Sequence, residues 1–293
     1  MKDSQGFSTE KLFKLFIYVA LITLAITIIV PVAWVFMASI KENEEFYGSP
    51  WTLPEGIHLQ NFVEAFNEAQ MGDYLLNSII VTTLALLFLL VFALPAAYVL
   101  SRFSFKGSKF LNTVVKAGLF INVSYITVPI FLMLLGWDQS LRSIIGDGLF
   151  LDNLVILALI YAATALPFTI FLLSSYFQTL PSDFEEAANI DGAGYYRTMF
   201  SIMLPMAKPS IIIVILFNFL LFWNEYILAL TLISGDQKTL PVGLLNLLAA
   251  ERAAVNYGPM YAGMVIVMLP TLILYIMVQK RLTQGMTVGG VKG

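Results

Sequence analysis

Long apolar segments alternate with shorter polar ones along the chain, at residues of about 12–38, 75–100, 113–135, 152–177, 209–233 and 258–280. A helix needs about 20 apolar residues to cross a hydrocarbon layer ~30 Å thick, and each of these segments is long enough. The pattern therefore predicts an all-α, polytopic membrane protein with six transmembrane helices. We expect residues 1–293 to form a single transmembrane domain.

The first apolar segment follows Lys2, Lys11 and Lys14 and could be a cleavable signal peptide. A signal peptide, however, has an apolar core of about 7–15 residues that ends at a small-residue cleavage site. Here the apolar run continues from Leu12 to Met37, and no such site follows it. We expect a retained membrane anchor.

Lysine and arginine are unevenly shared between the polar segments. If the N-terminus is cytoplasmic, twelve of them lie inside and four outside, the four being Lys41, Arg142, Lys238 and Arg252. Because cytoplasmic segments of membrane proteins are enriched in Lys and Arg, this bias predicts that both termini are cytoplasmic. The alternation also predicts a short amphipathic helix within residues 39–74 and another at Leu240–Ala254, both too short to span the bilayer.

Composition excludes several functional classes. The chain is 59% hydrophobic, has no cysteine and has a single histidine, His58, so neither a disulfide framework nor a zinc, haem or iron–sulfur site is expected. Gly107-Ser108-Lys109 lacks the spacing of a nucleotide-binding P-loop, and no Ser–His–Asp set is available. We expect no catalytic residue, no metal, no cofactor and no nucleic-acid partner for this chain.

The segment 181–209 is polar, although it connects two strongly apolar segments. Ser182 and Glu185 have the spacing of a capping box, which predicts a helix start. Glu186, Ala187 and Ala188 continue the helix until Gly192 and Gly194 end or bend it. Such a segment adds nothing to membrane crossing, so we interpret it as a handle for a protein outside the bilayer. The alternative is an ordinary interfacial helix that covers the end of the bundle.

The order Glu-Ala-Ala, Asp191-Gly192-Ala193, Phe200, Ile202-x-Leu204-Pro205 and Pro209 resembles the EAA loop of ABC-importer permeases. In that family the loop docks onto a separate ATP-hydrolysing subunit. The resemblance implies a coupling helix between the fourth and fifth spans, formed by Glu185, Glu186, Ala187, Ala188, Asp191 and Gly192. It also implies that ATP and Mg²⁺ bind to the partner ATPase.

Other sequence features narrow the resemblance within this family. They are Asn77-Ser78, Ala97-Tyr98-x-x-Ser101-Arg102, Phe222-Trp223-Asn224-Glu225 and the glycine-rich tail from Gln284. Together they resemble the carbohydrate-uptake branch, specifically the six-span permease subunit of maltose and multiple-sugar importers. The resemblance implies that Gly289, Gly290 and Lys292 in the tail contact the ATPase, and that loop 234–258 touches the binding protein. A frayed terminus and a membrane-surface helix are the respective alternatives.

Glu225 is a carboxylate within the fifth apolar segment, where a charge costs at least ~2.5 kcal/mol on insertion scales and needs a partner or water. Asn218 and Asn224 are nearby, and Asn218 lies seven residues before Glu225, which predicts a shared helical face. Glu225 could line a translocation path, join helices through hydrogen bonds, or lie partly wetted near the outer surface. The interhelical role is the first choice, because buried polar groups commonly join membrane helices.

These observations predict a permease subunit of an ATP-driven importer that moves a sugar or oligosaccharide by alternating access. The expected partners are a second homologous permease, an ATPase dimer, an extracytoplasmic solute-binding protein, the sugar and the lipid of a bacterial or archaeal cell membrane. Glycerol phosphate or a uronic-acid glycan is an alternative cargo. A stand-alone channel or intramembrane enzyme is a rival class, but a channel has no need of the handle and an enzyme needs more ionisable groups at membrane depth.

Overall fold

The computed structural model describes residues 3–47, 49, 51–146, 148–254 and 256–290. All regular structure in these ranges is helical. The helices are α1 (Asp3–Ala38), α2 (Gln60–Val63), α3 (Met71–Arg102), α4 (Ser108–Gly118), α5 (Val123–Ile145), α6 (Leu154–Thr179), α7 (Asp183–Ile190), α8 (Tyr195–Thr198), α9 (Leu204–Met206), α10 (Lys208–Trp223), α11 (Ile227–Leu232), α12 (Leu240–Ala254) and α13 (Tyr257–Gly290). A 3₁₀ turn covers Asn43–Phe46, and π-helical turns cover Glu64–Glu68 and Met199–Met203.

Four described helical stretches are individually long and apolar enough to cross a membrane: Glu10–Ala38, Met71–Arg102, Leu154–Thr179 and Tyr257–Gln279. Two further pairs of helices qualify only when each is taken together, and both are strongly bent. The described chain thus has four to six candidate spans, which confirms the all-α polytopic class. The sidedness of the spans stays a prediction.

The third predicted span, 113–135, is wrong as a single helix. Ser108–Gly118 and Val123–Ile144 meet at an angle of 105°. The new helix begins after Asn122, whose side-chain Oδ1 accepts a 2.9 Å hydrogen bond from the Ser124 amide. This N-cap satisfies an otherwise free amide and stabilises a helix start inside the apolar run.

The fifth predicted span, 209–233, is also not one helix. α10 ends at Trp223, and α11 begins at Ile227 after the break at residues 224–226. A second bend, of 73°, separates Tyr195–Met206 from Lys208–Trp223. Pro209 lies in the first turn of α10, where its missing N–H has no helical partner to lose.

The chain forms two compact units. The first comprises residues 1–70 and 244–268. In this unit Asn61 is buried and its Nδ2 donates hydrogen bonds to the carbonyls of Ser39, at 3.0 Å, and Lys41, at 2.8 Å. The Tyr257 amide donates a 2.9 Å bond to Asn43 Oδ1. The large apolar side chains of α1 between residues 12 and 30 are exposed in this chain and need an apolar environment.

The second unit comprises residues 71–243 and 269–293 and contains the main core. Its centre is the long contact between α3 and α6. α3 contributes a buried stripe at every fourth position, and α6 faces it with residues that include three alanines: Val81, Ala85, Leu89, Ala93 and Ala97 on α3, and Leu157, Ala158, Tyr161, Ala162 and Ala165 on α6. Small residues allow membrane helices to approach closely, so this pair forms a rigid frame for the polar groups described next.

Candidate functional site

The predicted coupling segment folds as a short helix, α7, immediately after the C-terminal end of α6. The predicted capping box at its start is wrong, because the Ser182 side chain makes no capping hydrogen bond. Ser182 has φ −67° and ψ −22°, which are the angles of a helical residue and not those of an extended N-cap. The Glu185 side chain instead accepts a hydrogen bond from Tyr98.

α7 ends just before Gly192, one of the two glycines that were predicted to end or bend it, and this glycine is in the left-handed conformation. Gly192 has φ +74°. Its amide donates to the Asn189 carbonyl at 3.1 Å, and the Ala193 amide donates to the Ala188 carbonyl at 2.9 Å. These two bonds form a Schellman motif, which satisfies the last carbonyls of the helix and fixes where the chain turns.

The residues predicted for coupling divide between two faces of α7. Glu186, Ala187, Asp191 and Gly192 are exposed. Ala188 is buried and Glu185 is turned inward, so these two residues do not lie on the outer surface of α7. Of the residues predicted for coupling, the four exposed ones are accessible to another protein.

The predicted coupling segment also exposes five large apolar side chains, of which the family resemblance named only Phe200: Phe184, Ile190, Tyr195, Tyr196 and Phe200. Ile190 and Tyr196 are 86% and 80% exposed. We call these five residues the apolar handle surface. The spacing of Phe184, Ala187 and Ile190, each three residues after the last, is a signal that could have identified one part of it.

A mostly apolar pocket of about 320 Å³, bordered by several polar side chains, lies where two spans are interrupted. It is lined by Asn122, Val123 and Ser124 at the start of α5, by Tyr161 and Thr164 of α6, and by Leu221, Phe222, Glu225, Ile227 and Leu228 around the α10–α11 break. Helix breaks place polar main-chain and side-chain groups at a depth where continuous helices present only hydrocarbon, and such breaks form binding sites in many transporters.

Glu225 is the most strongly bonded side chain of this pocket. Its Oε2 accepts a 2.7 Å hydrogen bond from Tyr161 Oη and a 3.2 Å bond from the Ala229 amide, while its Oε1 accepts a 2.9 Å bond from the Leu228 amide. The carboxylate therefore stabilises the N-terminal amides of α11 and also joins them to α6. This geometry fits the interhelical role, and the same residue also borders the pocket.

Asn218 and Asn224 do not share this environment. Asn218 is buried on α10, and its Nδ2 donates to Thr169 Oγ1 at 3.1 Å and to the Val214 carbonyl at 2.8 Å. Asn224 is exposed and donates to the Leu220 carbonyl of its own helix at 2.8 Å. Because α10 ends at Trp223, the predicted shared helical face of Asn218 and Glu225 is wrong.

The tail lies at the end of α13. Gly289 and Gly290 are the last residues of that helix, and Lys292 lies outside the described residues. Within the described ranges, no group of three or more His, Cys, Asp or Glu side chains is placed to hold a metal ion.

The sequence profile of the family described as "binding-protein-dependent transport system inner membrane component" matches residues 89–288. The chain belongs to that family. The matched residues include the predicted coupling segment and the pocket beside Glu225, and they identify a multi-pass membrane component of a transport system.

Curated relatives extend this similarity along nearly the whole chain. One is the diacetylchitobiose uptake system permease protein of Streptomyces coelicolor, 36% identical over 283 residues, with 96% of this chain and 90% of the relative covered. Another is the trehalose/maltose transport system permease protein of Thermococcus litoralis, 30% identical, with 97% and 99% covered.

A solved structure shares the fold. A chain of a bacterial ABC transporter involved in the import of the acidic polysaccharide alginate superposes with a TM-score of 0.77 at 24% identity. The superposition covers 93% of this chain and 97% of that one. At this identity the likeness concerns the fold alone.

Proposed function

We propose that this chain is the permease subunit of an ATP-driven importer that carries a sugar or oligosaccharide into the cell. The observation that carries the proposal is the full-length similarity to relatives named for diacetylchitobiose and trehalose/maltose uptake. The expected setting is a bacterial or archaeal cell membrane, with both termini and α7 on the cytoplasmic side.

The chain acts with other polypeptides in this proposal. A second homologous permease completes the pathway, an extracytoplasmic binding protein delivers the sugar, and an ATPase dimer holds ATP and Mg²⁺. The apolar handle surface supports the docking of another protein, because large apolar side chains exposed on a polar segment mark interaction sites. Glu186, Ala187, Asp191 and Gly192 lie on the same segment and would border the contact.

Transport would proceed by alternating access. Closure of the ATPase dimer displaces α7, and the bundle changes between two states that expose the pathway to opposite sides. The pocket beside Glu225 is the proposed part of this chain that borders the pathway. Its polar side chains, Tyr161, Thr164, Ser124 and Asn122, would exchange hydrogen bonds with sugar hydroxyls, and its apolar residues would contact the sugar rings.

The carboxylate in the pocket favours neutral cargo. Glu225 would repel a glycerol phosphate or a uronic-acid glycan, because like charges interact strongly where water is excluded. A neutral sugar instead offers hydroxyl donors, which a carboxylate accepts well. The pocket therefore supports the neutral sugars over the anionic alternatives.

Co-purification tests the proposal directly. We would express the chain with its neighbouring genes and compare the wild type with Ile190→Asp, which places a charge on the apolar handle surface. The ATPase should accompany the wild type and be lost or greatly reduced in the variant. Ile57→Asp is the matched control, because Ile57 is similarly exposed (74%) in the predicted outer loop. Equal ATPase retention by both variants would contradict docking at α7, and a wild type without any ATPase would contradict the importer itself.

Uptake assays then address the cargo. Cells carrying the complete system should accumulate labelled chito-oligosaccharide, maltose or trehalose, and should lose this uptake when the chain is deleted. Accumulation of an anionic glycan alone would contradict the neutral-sugar proposal while leaving the importer class intact.

A further inference from the structure

Glu185 differs from the other acidic residues of α7 because its carboxylate is turned into the protein. Tyr98 Oη donates a 2.8 Å hydrogen bond to Glu185 Oε1. Arg102 Nε lies 3.6 Å from Glu185 Oε2, and the two side chains of this ion pair are only 13% and 19% exposed. Tyr98 and Arg102 belong to the last turns of α3. The carboxylate therefore connects α7 to α3, and Tyr98 precedes Glu185 by 87 residues in the sequence.

Arg102 also holds the end of α6. Its Nη2 donates a 2.6 Å hydrogen bond to the carbonyl of Leu180, the residue that caps α6 immediately before α7. One guanidinium therefore joins the C-terminal ends of α3 and α6 and the start of α7. Arginine suits this position because its planar group presents several donors in fixed directions.

One donor of this cluster is left without a hydrogen bond. Arg102 Nε is buried and has no hydrogen-bond partner among the described residues. An unsatisfied buried donor is costly, and the Glu185 carboxylate is near it but beyond hydrogen-bond distance. A shift of α7 of less than about 1 Å toward α3 would make this bond, since hydrogen bonds of this type form at about 2.7–2.9 Å. A small movement of α7 would therefore convert this contact into a second, tighter arrangement.

The pair of helices joined by Arg102 extends to the pocket beside Glu225. α3 and α6 pack along their length, and Ser174 Oγ of α6 donates a 3.2 Å hydrogen bond to the Ala97 carbonyl of α3. α6 carries Tyr161, which holds Glu225 at the α10–α11 break. All these groups lie in the second compact unit.

We propose that Tyr98, Arg102 and Glu185 form a latch that transfers the displacement of α7 to the α3–α6 pair. Glu185 is then a positioning residue of the coupling mechanism and not part of the surface that binds the ATPase. This inference rests on the proposed function, because it requires an ATPase that moves α7. The family resemblance implied that Glu185 and Glu186 both belong to the helix that docks onto the ATPase. The latch changes this role for Glu185 and keeps it for Glu186.

The test uses the complete complex in proteoliposomes with its binding protein and sugar. Tyr98→Phe removes the hydroxyl that reaches Glu185 but keeps the ring that packs on Phe103 and Phe177. Glu185→Gln removes the charge that Arg102 faces. For each variant we would measure the sugar moved per ATP hydrolysed and the ATPase that co-purifies. Glu186→Gln, an exposed change on the same helix, is the contrast.

Tyr98→Phe and Glu185→Gln should retain the ATPase at the wild-type level but lower the sugar moved per ATP by roughly two- to thirty-fold, the range of single-residue coupling effects. The double variant should lose little more than the worse single variant, because residues of one contact are not additive. Glu186→Gln should instead reduce ATPase retention. If Glu185→Gln fails to fold, Tyr98→Phe carries the test, since it deletes one oxygen.

Two results would overturn the latch. One is loss of the ATPase from Glu185→Gln and Tyr98→Phe, which would make Glu185 a docking residue. The other is an unchanged ratio of sugar to ATP with only a lower melting temperature, which would make the cluster purely structural. Absence of the ATPase from the wild-type preparation is a separate observation and would overturn the proposed function together with the latch.

Discussion

Tyr161 Oη and Glu225 Oε2 are joined by a 2.7 Å hydrogen bond between residues that are 64 positions apart in the sequence. The bond connects the α6 core to the start of α11, and the same carboxylate also accepts bonds from the Leu228 and Ala229 amides. A single side chain thus maintains the geometry of a helix break and contributes to the lining of the pocket.

Replacement of Glu225 by Gln should reduce both stability and uptake. Gln has one acceptor oxygen for the three donors that now face the carboxylate, which should cost about 1–2 kcal/mol of unfolding free energy. We expect sugar uptake to fall about ten-fold, as a barrier change of ~1.4 kcal/mol would produce. Thermal unfolding in detergent and uptake in cells provide the two measurements.

Asn224→Ala is the control for this prediction. Asn224 is the neighbouring residue, it is exposed, and its side chain donates a hydrogen bond to the Leu220 carbonyl of the helix that it ends. It should change stability by less than about 0.5 kcal/mol. Unchanged uptake and unchanged complex assembly in Glu225→Gln would remove Glu225 from both the pathway and the interhelical role.

Gly192→Ala should loosen the end of α7. A left-handed backbone costs an L-residue about 1–2 kcal/mol, and the added Cβ would meet no atom within 4 Å, so the cost is purely conformational. Gly194→Ala is the matched control, because Gly194 has φ −73° and an equally open surrounding. We expect only the first variant to bind the ATPase more weakly in a titration of detergent-purified subunits. Equal affinities for the two variants would contradict a role for the Schellman turn.

Asn218 and Thr169 should be energetically coupled. Both are buried and exchange a 3.1 Å hydrogen bond between α10 and α6. Bonds of this kind in a membrane protein contribute on average about 0.6 kcal/mol and at most about 1.7 kcal/mol. A double-mutant cycle with Asn218→Leu and Thr169→Val, followed by denaturant unfolding, should give a coupling energy in that range. A value indistinguishable from zero would show that the Val214 carbonyl alone satisfies Asn218.

The Asp152 carboxylate should make the stability of the protein depend on pH in the acid range. Burial acts to raise the pKa of Asp152, but hydrogen bonds from the Ser234 and Gly235 amides and the Ser234 hydroxyl outweigh it, so the pKa is lowered. A lowered folded-state pKa contributes stability that is present above the unfolded value of about 3.9 and is lost as pH falls through the folded value. The melting temperature should therefore fall in this acid range.

Asp152→Asn should flatten that acid-dependent fall and lower the melting temperature near neutral pH. Asn is the suitable replacement because Asp152 has φ +52°, which Asn tolerates. Asp236→Asn, an exposed change in the same loop, should leave the pH profile as it is in the wild type. An identical profile for Asp152→Asn and the wild type would contradict the assignment.

The all-helical, polytopic character of the chain could be predicted from its apolar segments, but the helix breaks could not. Hydropathy averages over many residues, so Asn122 and the pair Asn224-Glu225 appear only as short polar interruptions of long apolar runs. The structure shows that both act on helix starts, by accepting hydrogen bonds from amides of α5 and α11. An Asn or Glu near the middle of a predicted span, followed by another apolar run, is the local signal that was available.

The coupling segment was predicted in position and in its glycine turn, because both follow from local chain conformation. The directions of individual side chains were not predicted, because they depend on residues that are distant in the sequence. Glu185 has the right spacing to cap α7, yet Tyr98 and Arg102 at the end of α3 bind it instead. Sequence spacing therefore located the helix but misassigned which acidic residue faces outward.

The two helix starts beside the pocket each depend on one side chain. Every helix end leaves main-chain amides or carbonyls outside the helical bonding pattern. Here Asn122 accepts a hydrogen bond from one such amide of α5, and Glu225 accepts bonds from two such amides of α11. An alanine at either position would leave these amides without a side-chain partner, so alanine scanning of the pocket would add free donors as well as remove a side chain.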